Sequence, residues 1–188
     1  MRIKVDPIHR AQINLLRAGE LFMLCAWLQG QMADLLILAT QPGSKAALQA
    51  RESGFPTEMS RVRAGYWEKQ FSEVKTEFQT AFRDTLRITE NHDLEVVYHI
   101  RNAIAHSHIS FGRDYLLYRP SGGQKKQDNL LSALGLRETV DSADPVILKL
   151  TFWDDEVYEA SFGCIRRLDE QCFHRLAGEI DVLHGRIR

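Results

Sequence analysis

The stretch that most constrains this chain runs from residue 7 to residue 40, PIHRAQINLLRAGELFMLCAWLQGQMADLLILAT. Asp6 stands before it as a side-chain cap and Pro7 opens it, at the first helical position, where a missing N–H does no harm. Gln41-Pro42-Gly43 ends it, because proline cannot continue a helix and glycine favours the stop. These signals predict a single helix of about 50 Å at ~1.5 Å per residue. Around Leu21–Leu28 the pattern is apolar on more than one face, so the helix either runs through the centre of a bundle or faces a second subunit. The apolar run from Leu21 to Ala39 is broken by Gln29, Gly30, Gln31 and Asp34. It falls short of the ~18 unbroken apolar residues of a membrane span and reads as a buried core or interface helix, with no membrane expected. Asp34 inside it needs a partner, and a place near a dimer axis is the expectation.

The remaining segments follow the same helical logic. SKAALQARES reads as a short helix and GFPTEMS as a turn. Trp67, Phe71, Val74, Phe78, Phe82 and Leu86 recur every three or four residues, one face of a helix, and ITENHD is expected to close it, with Asp93 capping its successor. That successor carries an apolar stripe of Val97, Ile100 and Ile104 and a polar stripe of Glu95, His99, Asn102 and His106, about 200° apart at ~100° per residue. Gly112 offers its stop. DYLLYRP and VILKLTFW read as two strands of a hairpin, with Val146, Leu148, Leu150 and Phe152 on one side and a long polar loop between them. From Tyr158 to Ile187 the apolar spacing is again helical, with Asp154 or Asp155 as cap. The fold class is mainly α: an up-and-down bundle of about four to five helices in a single domain, 1–188, with a small β-hairpin insertion at about 113–153, after the motif helix.

Bulk properties narrow the function. With 188 residues and 44% hydrophobic content the chain can bury a core. Its 24 basic residues balance 25 acidic ones, which argues against a broad footprint for duplex nucleic acid but leaves room for a local phosphate site. The three cysteines, Cys25, Cys164 and Cys172, are odd in number and form no CxxC, so packing in a reducing cytoplasm is expected rather than a disulfide or a thiolate metal site. MRIKVDPIHR lacks an apolar signal region.

Chemistry concentrates in YHIRNAIAHSHIS, residues 98–110. A histidine exchanges a proton near neutral pH. An arginine stays charged and presents a fork suited to phosphate oxygens. Asn102 and His106 are four apart and neighbour each other on a helix. Arg101 and His106 are five apart and flank a groove. Such a set could cleave RNA without a metal: His106 handling the proton of the 2′-hydroxyl or of the leaving oxygen, Arg101 stabilising charge on phosphorus, Asn102 orienting the imidazole or a phosphate oxygen.

Arg101-Asn102-Ala103-Ile104-Ala105-His106 resembles the Arg-x4-His signature of the HEPN superfamily, in which a polar residue often follows the arginine. The resemblance implies a helical bundle with the motif late in a helix. It implies a homodimer in which two motif copies meet, and a metal-independent endoribonuclease acting on RNA as a toxin or defence effector, with an antitoxin protein as a possible partner. It marks Arg101 and His106 as catalytic and Asn102 as their companion. Other superfamily members are non-catalytic dimerisation or nucleotide-binding modules, and that alternative stays open. His99 and His108 match no motif position. As residues they join Lys125 and Lys126 of the insertion as candidate substrate-binding groups. Neither cofactor nor metal is expected: Glu95, His99 and His106 share a face, but no HExxH pair exists. A solvated helix face is the plain alternative for 95–108, and a solvated loop for Lys125 and Lys126. Arg61 and Arg63 form a small basic cluster near aromatics, while Trp67 and Phe71 read as core.

Overall fold

The computed structural model describes residues 6–50, 57–109, 112–120, 128, 130–132, 134, 140–141 and 144–186. The chain is mainly helical, with a small antiparallel β element after the motif helix. Its helices are α1 (Pro7–Thr40), α2 (Ser44–Gln49), α3 (Ser60–Trp67), α4 (Phe71–Ala81), α5 (Ile88–Ala105), α6 (Asp155–Arg167) and α7 (His174–Glu179). A single wide π turn, Leu168–Phe173, joins α6 to α7. The strands are β1 (Leu116–Tyr118), β2 (Val140–Asp141) and β3 (Asp144–Leu150), in the order β1-β3-β2.

Contacts divide the chain into two compact units, one built from 1–25 and 95–164, the other from 26–94 and 165–188. In the first, α1 presents Arg10, Asn14 and Arg17 at helical spacing to the turn that follows β3. The buried Asn14 donates to the Leu150 carbonyl at 3.4 Å and accepts from the Trp153 N–H at 3.2 Å. Arg17 donates to the carbonyls of Phe152 and Trp153, both at 3.1 Å, and to Asp155 at 2.7 Å. Arg10 lies over the Trp153 ring at 4.6 Å. These bonds satisfy carbonyls that leave the ladder where β3 ends. β1 pairs with β3 in the expected hairpin, Leu116 opposite Leu150 and Tyr118 opposite Leu148. Leu116, Leu148, Leu150 and Phe152 are buried on one side, as alternation requires. The two-residue β2 adds a third strand on the other edge of β3.

In the second unit, Phe71, Val74 and Phe78 of α4 are buried with Phe82, and the Phe78 ring packs on Phe82 at 4.8 Å and on Phe173 at 5.5 Å. Two ion pairs tie α5 to the last helical segment: Asp93 accepts two bonds from Arg167 at 2.8 and 2.6 Å, and Glu90 accepts from Arg175 at 2.6 Å. Asp34, 1% exposed, accepts from Arg63 at 2.7 Å.

Several expectations change. Trp67 and Phe71 do not share a helix. The chain breaks at Glu68–Gln70, because the Gln70 N–H donates to the Glu73 side chain at 2.7 Å and starts a new helix there. Trp67 is 65% exposed under Arg63 rather than core. ITENHD opens α5 instead of closing α4: Glu90 accepts the Arg87 N–H at 2.8 Å as an N-terminal cap. Asp93 therefore sits inside the helix as Arg167's partner, not as a cap. Asp34 finds its counter-charge, Arg63, in its own chain. α5 stops at Ala105, seven residues before Gly112, where the Ser107 hydroxyl takes up the Ala103 carbonyl. The last segment ends near Ile180, not Ile187, because Asp181 adopts a left-handed φ of 59°. α1, by contrast, has the expected ends, and Asp6 caps it by accepting the Ile8 N–H at 3.2 Å. By length and composition α1 could cross a membrane, yet 61% of its apolar window is buried within the protein.

Candidate functional site

The motif lies wholly in the first unit. Val97, Ile100 and Ala103 are fully buried on the inner face of α5. The Cys25 thiol of α1 approaches the Val97 carbonyl at 3.9 Å, so the inner stripe packs on α1. The polar stripe is not freely solvated: Glu95, His99 and Asn102 are half-buried, and only His106 is exposed. The reason is geometric. A helix packed on one face by α1 leaves its flanks, not only its far side, in partial contact with neighbours.

Arg101 is also half-buried. Its Nη1 donates to Asn102 Oδ1 at 3.2 Å, and its guanidinium lies 5.9 Å from the centroid of the Phe22 ring. Its charge reaches Cys25 and favours the thiolate there, but burial wins and pushes that thiol up to about 12. Asn102 thus steadies the arginine, where the sequence alone left it between the imidazole and a phosphate oxygen. His106 follows one turn later, its N–H donating to the Asn102 carbonyl at 3.1 Å. The structure therefore joins Arg101 to Asn102 and sets His106 exposed just past the end of the same helix.

His99 packs its ring 5.3 Å from that of Tyr98, half-buried beside the motif. His108 is exposed and pinned by its backbone, donating to the Leu117 carbonyl at 2.7 Å and accepting from the Leu117 N–H at 3.1 Å. The end of the motif helix is thereby tied to β1. Burial, reinforced by Tyr98 nearby, raises the Tyr118 phenol above its ordinary value. Lys125 and Lys126 lie outside the described residues. Among the described residues, no three His, Cys, Asp or Glu side chains gather where they could hold a metal ion.

The sequence marks DYLLYRP and VILKLTFW only as strands. Their pairing assembles a second polar surface. Leu117 pairs with Lys149 on one side and with His108 on the other, and paired residues project to the same face of a sheet. Tyr115, just before β1, joins them, with Lys149 Nζ 5.1 Å and the Arg113 guanidinium 5.7 Å from its ring centroid. The alternation of DYLLY against VILKL is the signal that could have found it.

Among the described residues, a hollow of about 400 Å³ is lined by residues 38–43 with Lys45 and Ala46, and one of about 260 Å³ by Leu48, Gln49 and Asp181–Leu183. The motif residues line neither. No family model matches this chain, and no match arises among curated proteins or solved structures.

Proposed function

We propose that this chain is a HEPN-like, metal-independent endoribonuclease acting as a homodimer in the cytoplasm. The observation that carries the reading is the Arg101–Asn102 bond at 3.2 Å, one turn before an exposed His106. A held guanidinium and a reachable imidazole are the two groups that RNA transesterification asks of a protein.

In this reaction the ribose 2′-oxygen bonds to the adjacent phosphorus and the bond from phosphorus to the 5′-oxygen breaks. The 2′-hydroxyl proton passes to a base, and an acid returns a proton to the 5′-oxygen. The products are a 2′,3′-cyclic phosphate and a 5′-hydroxyl. His106 serves one of the two proton transfers. Arg101 neutralises charge growing on the non-bridging oxygens, with Asn102 limiting the directions its fork can take. A second copy would bring a second imidazole and guanidinium, so that acid and base need not be the same residue. Action as a toxin or defence effector, with an antitoxin protein covering the motif, follows from the resemblance alone.

Purified protein is expected to cut RNA in excess EDTA, and His106→Ala to abolish the cutting. Undiminished cutting by His106→Ala removes the assignment. The balance of 24 basic and 25 acidic residues favours a second reading, a non-catalytic HEPN-type dimerisation or nucleotide-binding module. Nucleotide binding without RNA cleavage would select it.

A further inference from the structure

We propose that the outer face of the β-sheet is a track for single-stranded nucleic acid, with Tyr115 as a stacking platform and Arg113, Lys149 and His108 as phosphate contacts. The sheet has one dry face, formed by Leu116, Leu148 and Leu150. Its other face carries Leu117, Lys149 and His108 in one cross-strand row, with Tyr115 and Arg113 beside it. Tyr115 and Lys149 are half-buried, and Arg113 and His108 are exposed.

An aromatic ring framed by cations, all on one face, is what a flexible polyanion with flat bases requires. Stacking is tolerant of base identity, and the cations meet the phosphates on either side of a stacked base. Both cations lie over the Tyr115 ring, at 5.7 and 5.1 Å from its centroid, so a stacking base takes the place of one of them and leaves it for a phosphate. Asp114, next to Tyr115 in the chain, is drawn toward Arg10 at 3.9 Å. The track begins two residues after His106, because the His108 backbone is itself paired to β1. A strand lying on it would pass the exposed imidazole. That the strand is an RNA substrate rests on the nuclease reading; the platform does not.

The test is fluorescence anisotropy of a labelled oligouridylate of about ten nucleotides, in the His106→Ala background so that cleavage cannot consume the probe. Tyr115→Ala should weaken binding about tenfold, while Tyr115→Phe, which keeps the ring, should bind like the parent. Lys149→Gln should lower the slope of log affinity against log salt by about 0.7. Thermal melts of each variant separate lost contacts from lost fold. Equal affinity in Tyr115→Ala and the parent overturns the proposal, as does tighter binding of a duplex or of polyglutamate than of the single strand. Unchanged affinity in Tyr115→Ala, with RNA cleavage persisting when the same substitution is made with His106 intact, would sink the track and leave the nuclease. Tyr115-dependent binding without cleavage by the parent chain would do the reverse.

Discussion

Asp34→Asn isolates a contest between burial and ion pairing. The carboxyl is 1% exposed, and its Oδ1 has no hydrogen-bond partner among the described residues. Burial raises it from 3.8 to about 6 even though Arg63 pulls the other way. The folded chain therefore holds a proton that the unfolded chain releases. That preference is fully present below about pH 4 and is lost as pH rises through about 6. At ~1.4 kcal/mol per pH unit, the span from 3.8 to about 6 is worth about 3 kcal/mol. Asparagine has the shape of the neutral acid and does not titrate. Urea unfolding of parent and Asp34→Asn, followed by far-UV circular dichroism across this range, should show the parent losing about 3 kcal/mol relative to the variant and then running parallel to it. Below about pH 4 the two should differ by about 1 kcal/mol or less, so near pH 7 the variant should be the more stable by about 3 kcal/mol; Arg63 keeps 30% of its side chain in water and is not stranded by losing the charge. A difference that stays flat, or that grows in the parent's favour with rising pH, would mean that the Arg63 pair outweighs desolvation, and the reasoning would be wrong.

Other perturbations test the packing. Phe78→Ala removes a fully buried ring that touches Phe82 and Phe173 and should cost about 4 kcal/mol in denaturant unfolding; a loss under about 1 kcal/mol would deny that this cluster is a core. Arg167→Ala leaves the Asp93 carboxylate, 8% exposed, without its two charged donors and should cost about 2 kcal/mol, less than a fully enclosed pair because water reaches the site. The thiols of Cys25 and Cys172, both pushed up to about 12 by burial, should resist a thiol reagent at pH 8 until the chain unfolds; prompt labelling of the native protein would contradict their placement.

The parts of this fold that were legible in the sequence are those with local chemical punctuation. Asp6-Pro7 and Pro42-Gly43 bracket α1 because capping and proline act within a few residues. The β1–β3 pairing was readable because alternation in VILKL puts Leu148 and Leu150 on one face. What was hidden depended on distance or on a weaker signal. Apolar spacing runs unbroken from Trp67 to Leu86, so the breaks at 68–70 and 82–87 are visible only through Glu73 and Glu90, which cap from the third helical position. Nothing local marks the wide turn at Leu168–Phe173. The partner of Asp34 lies 29 residues away and that of Asp93 lies 74 away, separations that periodicity does not encode. For the candidate site, sequence identified the helix and the motif but left the Asn102 contact open, and it passed over Tyr115 and Lys149, because a surface shared between strands exists only once their register is set.

The roles of Arg101 and His106 show most plainly in the chemical ends of RNA fragments made by the purified chain in excess EDTA, read by mass spectrometry beside Arg101→Ala and His106→Ala. The parent should leave 2′,3′-cyclic phosphate and 5′-hydroxyl termini, and neither variant should cut. Fragments ending in 3′-hydroxyl and 5′-phosphate, or cutting that survives both substitutions, would contradict these roles.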